Sequence, residues 1–524
     1  MVNRMNMGNR MKIKKWIFPA LLLVFLSLLL IYRTSLVAID SDYSNLVLEA
    51  NDILKGNPFL SGWNLTGISF ITTDLVYFTL GSLFFGVSTK AYFVAAGLMI
   101  ALLVFLGFYL SDSRGNWRAM AVYFLLCLVP GYFAVTVLRA HTGAINLFFL
   151  ALLCLGVGKE TFLQKRSQIL FLVFMALACV GDSVALVVGI IPVVLVCLLF
   201  ILKEQDREAR RPWTRLILLC LAAAVLGVLL DKLYFAIGGA NKNSFLDDKS
   251  FEPFANWGDK FFIWLRALLM IRDAEFFGAR LFSLDTAVFF VNCLVILLGF
   301  ISVIRHVVLL IARREDDFLS AVLSVGFLLL SVVFIITNIA IDVHSSRYIA
   351  YYWVLFPVLI IRDRRWFCRP FLPFAKVMTC VVLALSLLSF VPRLRQITPG
   401  NKSLPSQMGL SQFLQENDLS SGYASFWNAS STTVVSEGKT PVRAVAAAGE
   451  EIDFFNWFCK SAWYTEPANF VITQEGDQFG VTEELALKAF GEPEQTLEYN
   501  SLKILVYDQD LSRLLRVNRA ADPE

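Results

Sequence analysis

Histidine is nearly absent from this 524-residue chain, which contains three. With so few, and with no His/Cys cluster at ligand spacing, zinc centres of the finger or ribbon type are excluded. The nine cysteines form no disulfide framework: most of them, such as Cys127, Cys154, Cys179, Cys197, Cys220, Cys293 and Cys380, stand inside apolar runs and read as small core residues. There is no Gly-rich phosphate cradle and no nucleophile elbow, and no internal repeat is evident. Charge is also scarce, at 17% of residues, against about 25% in soluble domains. What takes its place is apolar: 57% of the chain is hydrophobic and the mean hydropathy is +0.64. A soluble globular protein is thereby excluded, and a polytopic membrane protein is the reading. The net charge of +4 does not point to nucleic acid, because the basic residues mark loop topology.

A span needs about 20 apolar residues. Eleven candidates lie near 16–34, 90–110, 117–138, 143–158, 168–181, 183–202, 215–235, 286–305, 318–341, 347–361 and 373–392. The first follows Lys12, Lys14 and Lys15 and lacks a convincing cleavage site, so it reads as an anchor. The run 68–87 is aromatic and interrupted by Asp74, Gly81 and Gly86; a helix lying in the interface suits it better than a span. With that choice the short basic loops alternate, from Arg4–Lys15 through Arg114/Arg118, Lys159–Arg166, Lys203–Arg215 and Arg305–Arg314 to Arg362–Arg369. Lys and Arg favour the cytoplasmic side, so the N-terminus is expected in the cytoplasm of a plasma (inner) membrane. Asp40, Asp42, Arg139, His141, Asp182, the 236–285 loop and the run Asp342–Arg347 are then expected on the outer face.

The segment Asp259–Arg272 has broad apolar coverage with flanking cations and is expected to lie among headgroups. Beyond Pro392 the composition turns polar. A helix over 410–417, strands over 423–427, 442–447, 469–473 and 502–507, and a helix over 483–490 predict a small α/β domain. The expected architecture is an all-α membrane domain over 1–392, with about 11 transmembrane helices plus interfacial helices, followed by an extracytoplasmic α/β domain over 393–524.

The run Asp40-Ser41-Asp42-Tyr43 directly follows the first span. A carboxylate near hydrocarbon has its charged form disfavoured, which moves its pKa toward neutrality and suits it to general-base work. Arg139, His141, Arg272, Arg280, His344 and Arg347 are candidates to steady a phosphate, a role for which the planar guanidinium is well shaped, with Asp182 a further substrate-side candidate. Plainer roles stand beside these: Arg139 and His141 as helix-end caps, Asp182 as an N-cap, and Arg347 as an interface anchor. No metal or other cofactor is expected; an Asp-x-Asp pair can hold a divalent ion, but no third ligand is in view.

The acidic pair after the first span, the spacing Asp42…Ala50…Gly56-Asn57, an interfacial helix, His141 opening a later span, Arg347-Tyr348 opening a helix that ends near Pro357, and a C-terminal α/β domain together resemble the GT-C superfamily of polytopic glycosyltransferases, in the group of family-39-like enzymes. The resemblance covers most of residues 10–392. It implies transfer of a sugar from a polyprenyl-phosphate donor to a glycan, lipid or protein acceptor at the outer face, usually without metal, with Asp42 or its neighbour Asp40 as the catalytic aspartate. The family's usual Asp-Glu pair is here Asp42-Tyr43.

Overall fold

The computed structural model describes residues 2–156, 164–243, 249–367, 384 and 404–516. The chain is mostly helical up to residue 367 and sheet-containing after residue 421. The helices used below are α1 (Val2–Ser35), α2 (Ser41–Leu54), α3 (Asp74–Phe85), α4 (Thr89–Leu110), α5 (Trp117–Cys127), α6 (Tyr132–Leu138), α7 (Thr142–Leu155), α8 (Lys165–Gly181), α9 (Ile191–Lys203), α10 (Arg207–Gly238), α11 (Trp257–Ile271), α12 (Leu284–Ile311), α13 (Phe318–Ile336), α14 (Tyr352–Arg362), α15 (Leu404–Glu416), α16 (Phe426–Val435) and α17 (Glu483–Phe490).

Among the described residues, six helical stretches are long and apolar enough to cross a bilayer, or seven if the pair α5/α6 is one broken span. This is a multi-pass membrane protein. The candidate span at 373–392 lies outside the described residues, as does the 392/393 boundary. Several expected spans are changed by local chemistry. The 117–138 stretch bends by 90° between α5 and α6, where Pro130 and Gly131 stand; proline lacks the N–H a helix needs and pushes its predecessor out of the helical region. The 318–341 span stops at Ile336. The 347–361 span starts as a 3₁₀ turn, Val343–Ile349. The pair around Asp182 is two helices, with a π-helical turn at Leu186–Ile190 leading into α9.

The helix in the 68–87 run is α3, with 12 residues, about 18 Å at 1.5 Å per residue. That is too short to span, as the sequence predicts. It buries Leu75 and Phe78 and exposes Val76, Leu80, Leu83, Phe84 and Phe85, an apolar face suited to lipid. The second expected interfacial helix, α11, is a partial correction. Phe261 and Phe262 are exposed, but Trp264, Ala267, Leu268 and Ile271 are buried against the membrane core.

Helix α4 sets the vertical scale. Tyr92 near its start reaches Asp40, and the Leu110 carbonyl at its end accepts from Arg362. Eighteen residues separate the two, about 27 Å of helix, close to the hydrocarbon thickness of about 30 Å. The Arg362 end is a partly buried ionic knot: Arg362 pairs with Asp317 at 2.5 Å, His306 with Glu315 at 2.6 Å, and Arg305 with Asp363.

The C-terminal region holds a six-stranded sheet in the order β5-β4-β3-β7-β9-β8, comprising β3 (Gly422–Ala424), β4 (Val442–Ala448), β5 (Glu451–Phe454), β7 (Phe470–Thr473), β8 (Gln495–Tyr499) and β9 (Leu502–Val506). Strands β4, β3 and β7 are parallel; β5, β9 and β8 run antiparallel to their neighbours. The expected strand over 423–427 ends early: Phe426 and Trp427 begin α16. A parallel pair needs a crossover, and α16 supplies it between β3 and β4. The region is fastened to the membrane part in two ways. A three-stranded sheet joins β1 (Trp63–Leu65) and β2 (Asn241–Lys242) to β6 (Cys459–Lys460). One hydrophobic cluster also runs from Leu46, Leu75 and Tyr92 into Phe426, Ala429, Val434 and Phe458.

Candidate functional site

Helix α2 follows the first span after five residues and carries both aspartates at its start. Asp40 is the N-cap: its Oδ1 accepts from the Tyr43 N–H at 2.9 Å, satisfying one of the orphan donors of the first turn. Its Oδ2 accepts from Tyr92 Oη at 3.1 Å and Arg139 Nη2 at 2.8 Å. Arg139 is itself 2% exposed and spends its other donors on the Ala38 and Thr136 carbonyls, with its guanidinium over the Tyr92 ring. This pair, with Arg139 buried and Asp40 half-buried, is a pin between the first span and the end of α6. The capping role read for Arg139 holds, and the phosphate-steadying role does not fit a guanidinium so enclosed.

Asp42, two residues on, is placed differently. Its Oδ2 accepts from Arg347 Nη1 at 3.0 Å; its Oδ1 is buried and has no hydrogen-bond partner. Burial pushes the carboxyl up from 3.8 to about 6, with Arg347 pulling the other way and Asp40 adding to the rise. Arg347 is delivered by the turn Val343–Ile349, whose start is a capping box: Asp342 accepts from the His344 and Ser345 N–H groups, and Ser345 Oγ accepts from the Asp342 N–H. The Arg347 side chain keeps 34% of its surface open and lies over the Tyr348 ring.

A second layer stands behind. His141 Nδ1 and Asp182 Oδ2 are 2.6 Å apart, both buried. The imidazole lies between Phe70 and Tyr348, at ring distances of 5.5 and 4.7 Å. His141 precedes α7 at φ +56°, a left-handed conformation that costs a non-glycine residue about 1–3 kcal/mol unless its surroundings hold it. Asp182 also accepts from the Val184 N–H through Oδ1, the capping bond that the sequence suggests. The sequence reading missed Asp74 as a site residue. It is fully buried; one oxygen accepts from the Gly143 N–H at 3.2 Å, the other has no partner, and burial pushes the carboxyl up to about 7. Its signal was legible as an acid inside an apolar run. Tyr348 carried no such signal.

Three expected participants stand elsewhere. Arg272 is 2% exposed and donates to the Leu126 and Trp353 carbonyls, tying helix ends together; it does not flank a headgroup layer. Arg280 lies on an exposed loop, where its carbonyl accepts from Thr286, and its side chain makes no ion pair among the described residues. His344 is exposed with its ring 5.9 Å from Phe133, three residues before Arg347 but not against Asp42. Among the described residues no group of three His, Cys, Asp or Glu side chains is arranged to hold a metal ion.

The segment 70–74 passes over two glycines. A Cβ at Gly143 would stand 2.6 Å from the Thr73 carbonyl carbon, and one at Gly181 would stand 2.5 Å from Thr73 Cγ2. Gly143→Ala must therefore push the backbone carrying Asp74 away from α7. We expect a loss of 1–3 kcal/mol, typical of overpacking, together with displacement of His141. Thermal unfolding in detergent checks the first, and loss of activity beyond that explained by stability checks the second.

No protein-family model matches the sequence, and no curated relative does. The structure does find company. ArnT from Cupriavidus metallidurans, in its apo state, superposes with a TM-score of 0.54 over 98% of this chain and 100% of that one, at 12% identity. The oligosaccharyltransferase of Archaeoglobus fulgidus, tethered with an acceptor peptide, gives 0.46 over 87% of this chain and 69% of that one, also at 12% identity. The first of these shows that this chain shares the fold of ArnT along its described length.

Proposed function

We propose that the protein is an inverting glycosyltransferase that takes a sugar from a polyprenyl-phosphate donor, with Asp42 as general base. The observation that carries the reading is the state of Asp42: a carboxyl raised to about 6 with one oxygen on Arg347 and the other uncommitted. A base poised near working pH gives the best balance of ionised fraction and proton affinity. In the step, an acceptor hydroxyl loses its proton to Asp42 as its oxygen bonds to the anomeric carbon from the face opposite the phosphate. The bond from that carbon to the phosphate oxygen breaks, and the leaving polyprenyl phosphate takes the electron pair. Arg347 faces that charge. His141, held by Asp182 and packed against the Tyr348 ring, keeps Tyr348 and so Arg347 in place. Asp40 serves as a pin. The two aspartates turn to different cations, which supports a reaction without a metal held between them.

The basic groups Lys203, Arg305, Arg362 and Arg364 are tied together at the end of α4 away from Asp40, which supports a cytoplasmic Arg362 end and an extracytoplasmic site. The exposed apolar face of α3 is placed to receive the donor's lipid tail.

The test is transfer of labelled sugar from polyprenyl-phosphate donors by the purified protein in nanodiscs. Passage of donor across liposomes with no new glycosidic bond would favour a transporter and overturn the reading. The pH profile gives a second check. Asp42 acts ionised, so kcat/KM is expected to be level above about pH 7 and to fall about tenfold per unit below about 6. Arg347→Gln removes the charge that lowers the Asp42 pKa, so the acid limb is expected to move to higher pH; a limb that stays put would separate Asp42 from the titration.

A further inference from the structure

The C-terminal sheet has a feature that the transfer chemistry does not use. Strand β3 lies between its parallel neighbours β4 and β7. The chain leaving β3 enters α16, which packs on the sheet face formed by Ala424, Ala444, Phe470, Ile472 and Ile504. The chain leaving β7 enters α17, which packs on the opposite face with Tyr423, Val445, Val471 and Leu505. Two adjacent parallel strands whose connections depart to opposite faces leave a crevice beyond their carboxyl ends, the place where open α/β sheets bind ligands.

A cleft of about 190 Å³ is found there, lined by Ser425, Trp427, Asn428, Gln474, Asp477 and Gln478, with Gly476 at its edge. Its chemistry is specific. Trp427 is 36% exposed and its ring is fixed by a bond from Nε1 to Gln478 Oε1 at 3.0 Å. Ser425 is 3% exposed, caps no helix N–H through its side chain, and turns an unpartnered hydroxyl to the cleft. The side-chain amides of Asn428 and Gln474 are likewise free, each offering donors and an acceptor. Asp477 is committed through Oδ2 to the Phe479 and Val481 N–H groups. No Lys or Arg lines the cleft, so an anion finds no opposite charge there. A flat indole with amides and a hydroxyl around it suits a neutral ring carrying several hydroxyls. The volume lies below the roughly 300–1,000 Å³ of sites for drug-sized ligands, as fits one ring on an open ledge.

The cleft also points back to the catalytic segment. Four residues beyond Trp427, about 6 Å along α16, the Ser431 N–H donates to Ser41 Oγ at 3.3 Å, and Ser430 Oγ donates to Asn45 Oδ1 at 2.7 Å. Asp42 is the residue after Ser41.

We propose that this cleft is a saccharide subsite that holds the acceptor glycan, one sugar ring stacked on Trp427 and its hydroxyls met by Ser425, Asn428 and Gln474. The acceptor role rests on the glycosyltransferase reading above; saccharide binding does not. The full-length protein in nanodiscs is titrated by saturation-transfer NMR with neutral di- and trisaccharides ending in gluco-, galacto-, manno- and N-acetylhexosamine units. At least one is expected to bind at millimolar concentration, with affinity falling tenfold or more in Trp427→Ala and in Gln474→Ala and largely restored in Trp427→Phe. Binding by no sugar of the set, or binding unchanged in both alanine variants, overturns the proposal. In transfer assays, Trp427→Ala is expected to raise the acceptor KM at least tenfold more than the donor KM. Equal changes would remove the acceptor role. Trp427-dependent binding by a protein that transfers no sugar would leave the subsite standing and overturn the glycosyltransferase reading.

Discussion

Asp42→Asn is expected to lower sugar transfer by about 10²- to 10⁴-fold, the span attributed to a positioned general base, while leaving thermal stability near that of the parent. The amide matches the carboxyl in shape and can accept from Arg347, so the fold keeps its contact; it cannot take a proton from a hydroxyl. Asp40→Asn serves as the contrast. Asp40 holds Tyr92, Arg139 and the start of α2, so its loss is expected to appear first as a lower melting temperature, with activity falling in proportion to folded protein. Labelled-donor turnover measured beside melting curves separates the two. Full activity in Asp42→Asn would remove it as the base, and a catalytic loss in Asp40→Asn at unchanged stability would move the role to its neighbour.

Arg139→Ala is expected to cost up to about 3–5 kcal/mol, the range for breaking a buried pair, lessened because the Asp40 side chain keeps 27% of its surface open. Arg139 is 2% exposed and its donors close the Ala38 and Thr136 carbonyls as well as the Asp40 carboxylate. Replacing both partners with apolar groups, Arg139→Met with Asp40→Leu, is expected to cost less than the sum of the single changes, because no buried charge is left alone. The coupling is read from a double-mutant cycle of unfolding in mild detergent. A single change with no measurable effect on melting would show that the pin carries no stability.

The difference between the two aspartates shows where reading the sequence stops. An acidic pair after the first span was legible, because charge at the edge of an apolar run is costly and stands out. Which acid was committed to structure was not, because Asp40 is defined by Tyr92, 52 residues on, and Arg139, 99 residues on. Asp42 gains its elevated pKa from burial, held in check by a cation 305 residues away. Arg272 misled for the same reason: a cation at the end of an amphipathic helix reads as a headgroup contact, yet two carbonyls from distant helices claim it. Trp427 read as the end of a strand because aromatic residues favour strands, and became the first turn of a helix because a parallel neighbour demanded a crossover.

Hydrophobic run lengths, loop charge and the break in composition after residue 392 were enough to determine a multi-pass membrane protein with a helix near 68–87 too short to span and a sheet-bearing C-terminal region, since each reports a local balance between apolar burial and hydration. Only the tertiary structure decided which side chains meet: that Arg139 closes on Asp40, Arg347 on Asp42 and His141 on Asp182, and that a polar cleft opens between β3 and β7. Contacts between residues hundreds of positions apart depend on how whole helices and strands pack, and no local pattern in the chain encodes that distance.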